Sequence, residues 1–158
     1  MHQDAIYLTA EGQLKLEDEL KQLIDVRRPQ VADMIRDAKE AGDISENAAY
    51  DEAKEQQAMI EGRIRHLQEL LSRAEAIKHN PNSTTVQLGS TVKVEELGAP
   101  DDPETFQIVG SAEASPVDGR ISNESPLGKA LFGKKAGATV SYKNPDGDSM
   151  SFKLLEIS

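Results

Sequence analysis

Cysteine is absent from the 158 residues, and so is tryptophan. Without cysteine there is no disulfide, no thiol nucleophile and no cysteine-held zinc. His2, His66 and His79 stand without metal-ligand spacing and read as ordinary surface or helix residues. Aromatic residues make up only 4% of the chain, too few for a platform on which nucleic-acid bases stack. Long apolar runs are missing too. Mean hydropathy is −0.54, and no stretch approaches the length of a membrane span. The opening MHQDAIYLTAEG lacks a basic start followed by an apolar core. No signal peptide is expected, and the cytoplasm is the expected compartment. Positive charge is scarce: 18 Lys and Arg against 28 Asp and Glu give a net charge of −10. Phosphate binding needs clustered cations, so sequence-independent DNA binding is disfavoured. The expected partner is a protein, or an assembly that already holds nucleic acid.

What the chain does have is helical periodicity in its first half. Thr9 is placed to cap a helix, with Glu11 in the first turn where the helix dipole favours an acid. Leu16, Leu20, Leu23, Val31, Met34, Ile35 and Ala38 form an apolar stripe. Pro29 interrupts it, which predicts a bend near residues 27–30 and not a stop, because the stripe resumes. Gly42 ends the helix. A second helix is predicted from about Glu46 to about Lys78. Its seam of Ala53, Gln57, Ile60, Ile64, Leu67, Leu71 and Ala74 steps by fours and threes, as in a coiled coil. The short break between the two makes them antiparallel, a hairpin with arms about 45 Å long at 1.5 Å per residue. Near its tip, Ala38, Ala48 and Ala49 predict a close approach of the helices.

The tip itself reads GDISENAAY, with Asp43 and Glu46 three residues apart. Two readings stand. The pair fits a capping box, Asp43 at the N-cap and Glu46 at N3. It also fits half of a metal site completed by another molecule.

Residues 79–85 are polar and proline-broken, a linker. The composition then changes. VQLGSTVKVEEL, TFQIVGS, ATVSYKN and SMSFKLLEI alternate and are rich in β-branched residues, the signature of strands. Ser125, Pro126 and Gly133 read as the cap, first residue and stop of one short helix. The fold class is therefore α+β: a coiled-coil hairpin over 1–78, the linker, and a small β-rich domain with one helix over 86–158.

Several separated segments carry a resemblance: Val26–Pro29, Gly42–Ala48, Tyr50, Glu55–Gln57, Glu61–Ile64 and Ile121–Lys134. In this order they resemble the bacterial Gre transcript-cleavage factors, on the GreA side of that family, over nearly the whole chain. The resemblance implies an FKBP-like second domain that docks on the rim of RNA polymerase, and a hairpin that enters the polymerase's secondary channel. There the tip would induce cleavage of backtracked RNA near the nascent 3′ end. Asp43 and Glu46 would be the catalytic carboxylates, holding a second Mg²⁺ shared with the polymerase. The chain alone would be no enzyme and would carry no tightly bound cofactor; it would work as a monomer, away from membranes. Asn47 and Tyr50 would brace the tip. Lys39 and Lys54 would contact RNA or be solvated charges, Lys54 pairing with Asp51. Arg36 and Arg63 are weaker basic candidates. Glu124, Ser125 and Pro126 would dock on the polymerase, or simply open the short helix. Ser45 and Ala138 depart from residues frequent in the family. The FKBP-like fold suggests prolyl isomerisation only by analogy, and few aromatics are present to line a proline pocket. The rival functions are a channel-occupying inhibitor of the same architecture and a coiled-coil adaptor.

Overall fold

The structure, a computed structural model, describes residues 4–42 and 47–158. It divides into two units: Asp4 with residues 11–74, and residues 5–10 with 75–158. The first unit is the hairpin. Its first arm comprises α1 (Ala10–Gln22), a π-helical turn (Leu23–Arg27) and α2 (Arg28–Ala41). Just before Pro29, where the sequence predicts a bend, lies this wide turn, in which the Arg28 N–H donates to the Leu23 carbonyl five residues back. Pro29 explains it. Proline has no N–H to offer the Asp25 carbonyl, and its ring would press on that carbonyl in a regular helix.

The return arm is α3 (Ala48–Ser72). It buries Ala53, Ile60, Ile64, Leu67 and Leu70; of the other expected seam residues, Gln57, Leu71 and Ala74 are only half-buried, and Leu70 takes the buried place expected of Leu71. Val31, Ile60 and Ile64 form the hairpin's buried cluster, with Leu20, Leu23, Ile24 and Ile35 packed on it. Of the small residues expected between the helices near the tip, Ala38 is buried, as is Ala53, while Ala48 and Ala49 are exposed.

The predicted run of α3 to Lys78 also fails. The helix stops at Ser72, and β2 (Ala74–Ala76) pairs with β1 (Ile6–Leu8) in a two-stranded sheet. The Ile77 N–H donates to the Leu8 carbonyl at 2.9 Å, and the Leu8 side chain is wholly buried. Residues 5–10 therefore belong to the β-rich unit, and the boundary expected at residue 78 falls earlier. Helix propensity in Ala74–Lys78 yields to this long-range pairing.

The β-rich unit contains β3 (Thr91–Glu96), β4 (Glu104–Val109), β5 (Arg120–Ser122), α4 (Pro126–Leu131), β6 (Thr139–Lys143) and β7 (Ser149–Ile157). The sheet order is β5-β4-β3-β7-β6. All pairs are antiparallel except β4 with β5. Alternation buries Val92, Val94, Ile108, Val140, Phe152 and Leu154 on one face, where Leu127 and Leu131 of α4 cover them. Tyr142 and Phe152 stack at 6.0 Å between ring centres. The crossover from β4 to β5 is made of two 3₁₀ turns, Ser111–Glu113 and Pro116–Asp118.

Candidate functional site

The tip begins where α2 ends. Gly42 succeeds the last helical residue in extended backbone, φ 166°. Asp43 and Glu46 lie outside the described residues. Immediately after them, Asn47 is the N-cap of α3. Its Oδ1 accepts the Tyr50 N–H at 3.1 Å, and its Nδ2 donates to the Ala38 carbonyl of α2 at 2.6 Å. One side chain thus starts the return helix and ties it to the end of the outgoing one. Half-buried Tyr50 takes part through its backbone N–H. This corrects the capping-box expectation. A helix capped by Asn47 has its N3 position at Tyr50, so the spacing of Asp43 and Glu46 is not explained by a cap on α3.

Lys39 lies exposed in the last turn of α2. Lys54 is exposed on α3, and its Nζ donates to Gln57 at 2.8 Å, not to Asp51 as expected. The arginines are differently employed. Arg36 pairs with Asp33 at 2.7 Å within α2. Arg63 grips Glu19 with two nitrogens, at 2.6 and 2.8 Å. Arg28 grips Glu61 likewise, at 2.7 and 2.9 Å. Such fork-to-fork pairing is directional. The Arg63 guanidinium holds the Glu19 carboxyl below its ordinary value, and Arg28 does the same to Glu61. Arg36 and Arg63 are therefore committed to carboxylates. The two long-range pairs bracket the π-turn and were missed as partners from sequence. Their signal was the pair of motifs containing Arg28 and Glu61, whose charges complement each other.

In the β-rich unit, Ser125 is the N-cap of α4 as expected. Its Oγ accepts the Gly128 N–H at 3.1 Å and donates to the Ser122 carbonyl at 2.6 Å. Pro126 occupies the first helical position, and Gly133 lies just past the helix with φ +80°. Gly128 is required by proximity. A Cβ there would lie 1.9 Å from the Ser122 carbonyl oxygen. Glu124 is exposed on this loop, with Oε2 accepting the Ser111 hydroxyl at 2.8 Å and its N–H bonded to Ser122 Oγ. The loop is thus rigidly held and presents Glu124 and Pro126 to solvent.

A helical hairpin whose return arm is capped by Asn47, followed by a β-rich unit with a fixed, solvent-facing loop, defines a two-unit factor. Residues 6–76 match the family described as "Transcription elongation factor, N-terminal", and residues 80–158 match "Transcription elongation factor, GreA/GreB, C-term". The chain is 51% identical to transcription elongation factor GreA of Chloroflexus aggregans, covering 99% of both chains. It is 46% identical to that of Bacillus subtilis, covering 100% of both. The crystal structure of GreA factor homolog 1 of Thermus thermophilus matches at 29% identity and a TM-score of 0.45, over 98% of this chain and 99% of that one. The chain belongs to the GreA/GreB family of transcription elongation factors.

Proposed function

We propose that this elongation factor binds RNA polymerase, places its hairpin tip in the secondary channel and stimulates the polymerase's own cleavage of backtracked RNA. The observation that carries the reading is Asn47 at the N-cap of α3. With Asn47 in that position, capping α3 does not call for Asp43 and Glu46, and the sequence puts both at the turn between the two arms. Two carboxylates suit Mg²⁺, which takes hard oxygen ligands and keeps most of its shell for water and phosphate. When bound there, the ion supplies a second cation to phosphodiester hydrolysis. Asp43 and Glu46 would hold it, while Asn47 keeps the two helix ends together behind them. The chain by itself hydrolyses no RNA in this reading. It works as a monomer, in the cytoplasm, with Glu124, Ser125 and Pro126 on the polymerase and Lys39 and Lys54 beside the extruded RNA 3′ end.

The test is transcript cleavage on halted, backtracked elongation complexes. Addition of the chain should shorten the RNA from its 3′ end in a Mg²⁺-dependent manner. Inhibition of elongation without cleavage would replace this reading with that of a channel blocker.

A further inference from the structure

The two edges of the five-stranded sheet are finished differently. At one edge, β5 is three residues long and its outer side is occupied. The Ser115 N–H donates to the Arg120 carbonyl at 2.8 Å, and the Arg120 N–H to the Ser115 carbonyl at 3.1 Å. At the other edge, β6 is five residues long and pairs with β7 alone. Two bonds fix which of its groups face β7. The Leu154 N–H donates to the Ala138 carbonyl at 2.8 Å, and the Asn144 N–H to the Asp148 carbonyl at 2.9 Å. Both continue the register that runs from Thr139 opposite Lys153 to Lys143 opposite Ser149. A carbonyl and the next residue's N–H point to opposite sides of their shared peptide plane, and in an antiparallel pair the inward and outward groups alternate by residue. The N–H and C=O groups of Thr139, Ser141 and Lys143 therefore point away from β7. Among the described residues, no other segment bonds to them.

Lysines flank this open edge. A cleft of about 250 Å³ beside it is lined by Lys129 and Ala130 of α4, by Lys134, and by Thr139, Val140 and Ser141. No acidic side chain lines it. Lys129 and Lys134 are exposed, and neither forms an ion pair among the described residues. In a chain of net charge −10, the cleft is a local reversal of sign. We infer that the β6 edge is a docking site for an extended, acidic segment of a protein partner. The segment adds to the sheet as a further strand, its backbone bonded to Thr139, Ser141 and Lys143 and its carboxylates set against Lys129 and Lys134. Strand addition takes its affinity from the main chain and its selectivity from the side chains beside the edge. The lysines also decide what is turned away. A second copy pairing edge to edge through β6 would set them against their own counterparts, which is how sheets guard a free edge. An acidic strand meets attraction there instead. The site is separate from Glu124, Ser125 and Pro126, and it stands on its own, without the polymerase reading.

The experiment uses the full chain and a short end-blocked peptide of alternating Glu and Thr, followed by NMR and amide hydrogen exchange. In the free chain the amides of Thr139, Ser141 and Lys143 should exchange faster than those of Val140 and Tyr142. With the peptide at about ten times its dissociation constant, exchange at those three should slow about tenfold. Lys129→Glu combined with Lys134→Glu should weaken binding about tenfold. Backbone N-methylation of the Glu residues and of the Thr residues, in separate peptides, should abolish binding in one case and spare it in the other, because only one set of N–H groups faces β6. This arm uses the parent chain and so holds even if the charge-reversed variant does not fold. No protection of the three amides overturns the inference, as does equal binding by both methylated peptides, which would leave charge alone at work. Equal binding of a Lys–Thr peptide, or of the Glu–Thr peptide by the charge-reversed variant, overturns the acidic preference. A single-stranded oligonucleotide that binds the lysines more tightly than the peptide makes the cleft a phosphate site and overturns the inference. Concentration-dependent protection of the three amides without peptide makes the edge a contact between copies and overturns it as well.

Discussion

In the β-rich unit, side chains from four strands and a helix meet in one cluster: Val92, Val94, Ile108, Val140, Phe152 and Leu154 beneath Leu127 and Leu131. In the hairpin, the cluster is Val31, Ile60 and Ile64, flanked by half-buried leucines and isoleucines. Two helices can bury only one stripe each, so the hairpin remains thin however well it packs. It adds what the other unit does not need, the bidentate pairs Arg28–Glu61 and Arg63–Glu19 across its arms. These contribute modestly to stability because water screens them, but their fork geometry specifies which residues face each other. The lesson is a division between cohesion and register. The β-rich unit keeps its shape by area; the hairpin keeps its alignment by direction.

The comparison can be broken most severely at the tip. Replacing Asp43 and Glu46 together by Ala should cut stimulated cleavage more than about a hundredfold, beyond the 10–100-fold typical of losing a metal ligand's supporting partner. Thermal unfolding should not change, and polymerase binding in a competition assay should persist. Cleavage at the parental rate would mean that the acids serve no metal.

Next in size is the core. Leu131→Ala removes a fully buried side chain and should cost about 2–5 kcal/mol. Leu20→Ala, on the half-buried flank of the hairpin cluster, should cost distinctly less. Urea unfolding of the full chain reads both, and equal losses would erase the distinction between the units. Asn47 gives a smaller and sharper test. Asn47→Ala removes the cap and the tie to Ala38, and should cost about 1–2 kcal/mol. Asn47→Ser keeps an acceptor for the Tyr50 N–H but is too short for the Ala38 carbonyl, so it should recover about half of that. A Ser variant as unstable as the Ala variant would remove the tie's separate role.

The smallest effect is electrostatic. The Arg63 hydrogen bond lowers the Glu19 pKa from its ordinary 4.5. A depressed folded-state value means stability that is present above 4.5 and lost as pH falls through the lowered value. Both partners are largely exposed, so the amplitude should be about 0.5 kcal/mol or less after screening. Arg63→Gln should flatten the pH dependence of hairpin unfolding below 4.5. An unchanged profile would remove this pair from the register.

Much of this was legible in the sequence, and where it was not the reasons are physical. The stripe from Leu16 to Ala38 and the alternation in Thr139–Lys143 are local periodicities, and both gave the right element. Ser125, Pro126 and Gly133 mark α4 because caps and stops act within one turn. The strands Ile6–Leu8, Ala74–Ala76 and Arg120–Ser122 are three residues each. They exist only through distant partners, so no local pattern announces them. Asn47 was legible as a brace but not as the N-cap, because Asp43 three residues before Glu46 offers the more familiar capping pattern. The paired arginines were hidden differently. On an exposed helix face every Arg looks solvated until the opposite arm is in place.

The π-turn before Pro29 has a consequence for counting. From Leu16, Leu20 and Leu23, alternating steps of four and three lead to Arg27, Gln30, Met34 and Asp37. The positions that actually face inward are Val31, Ile35 and Ala38, each one residue later, while Gln30, Met34 and Asp37 face out. The wide turn absorbs the extra residue, as a comma absorbs a beat, and the stripe re-enters in phase. Two seams that would wind away from each other on an unbroken helix thus share one side of the arm. A chain shorter by one residue between Leu23 and Arg27 would keep that side intact and lose only the wide turn, whereas the same deletion a few residues later would rotate the rest of the arm, Lys39 included, by about 100°.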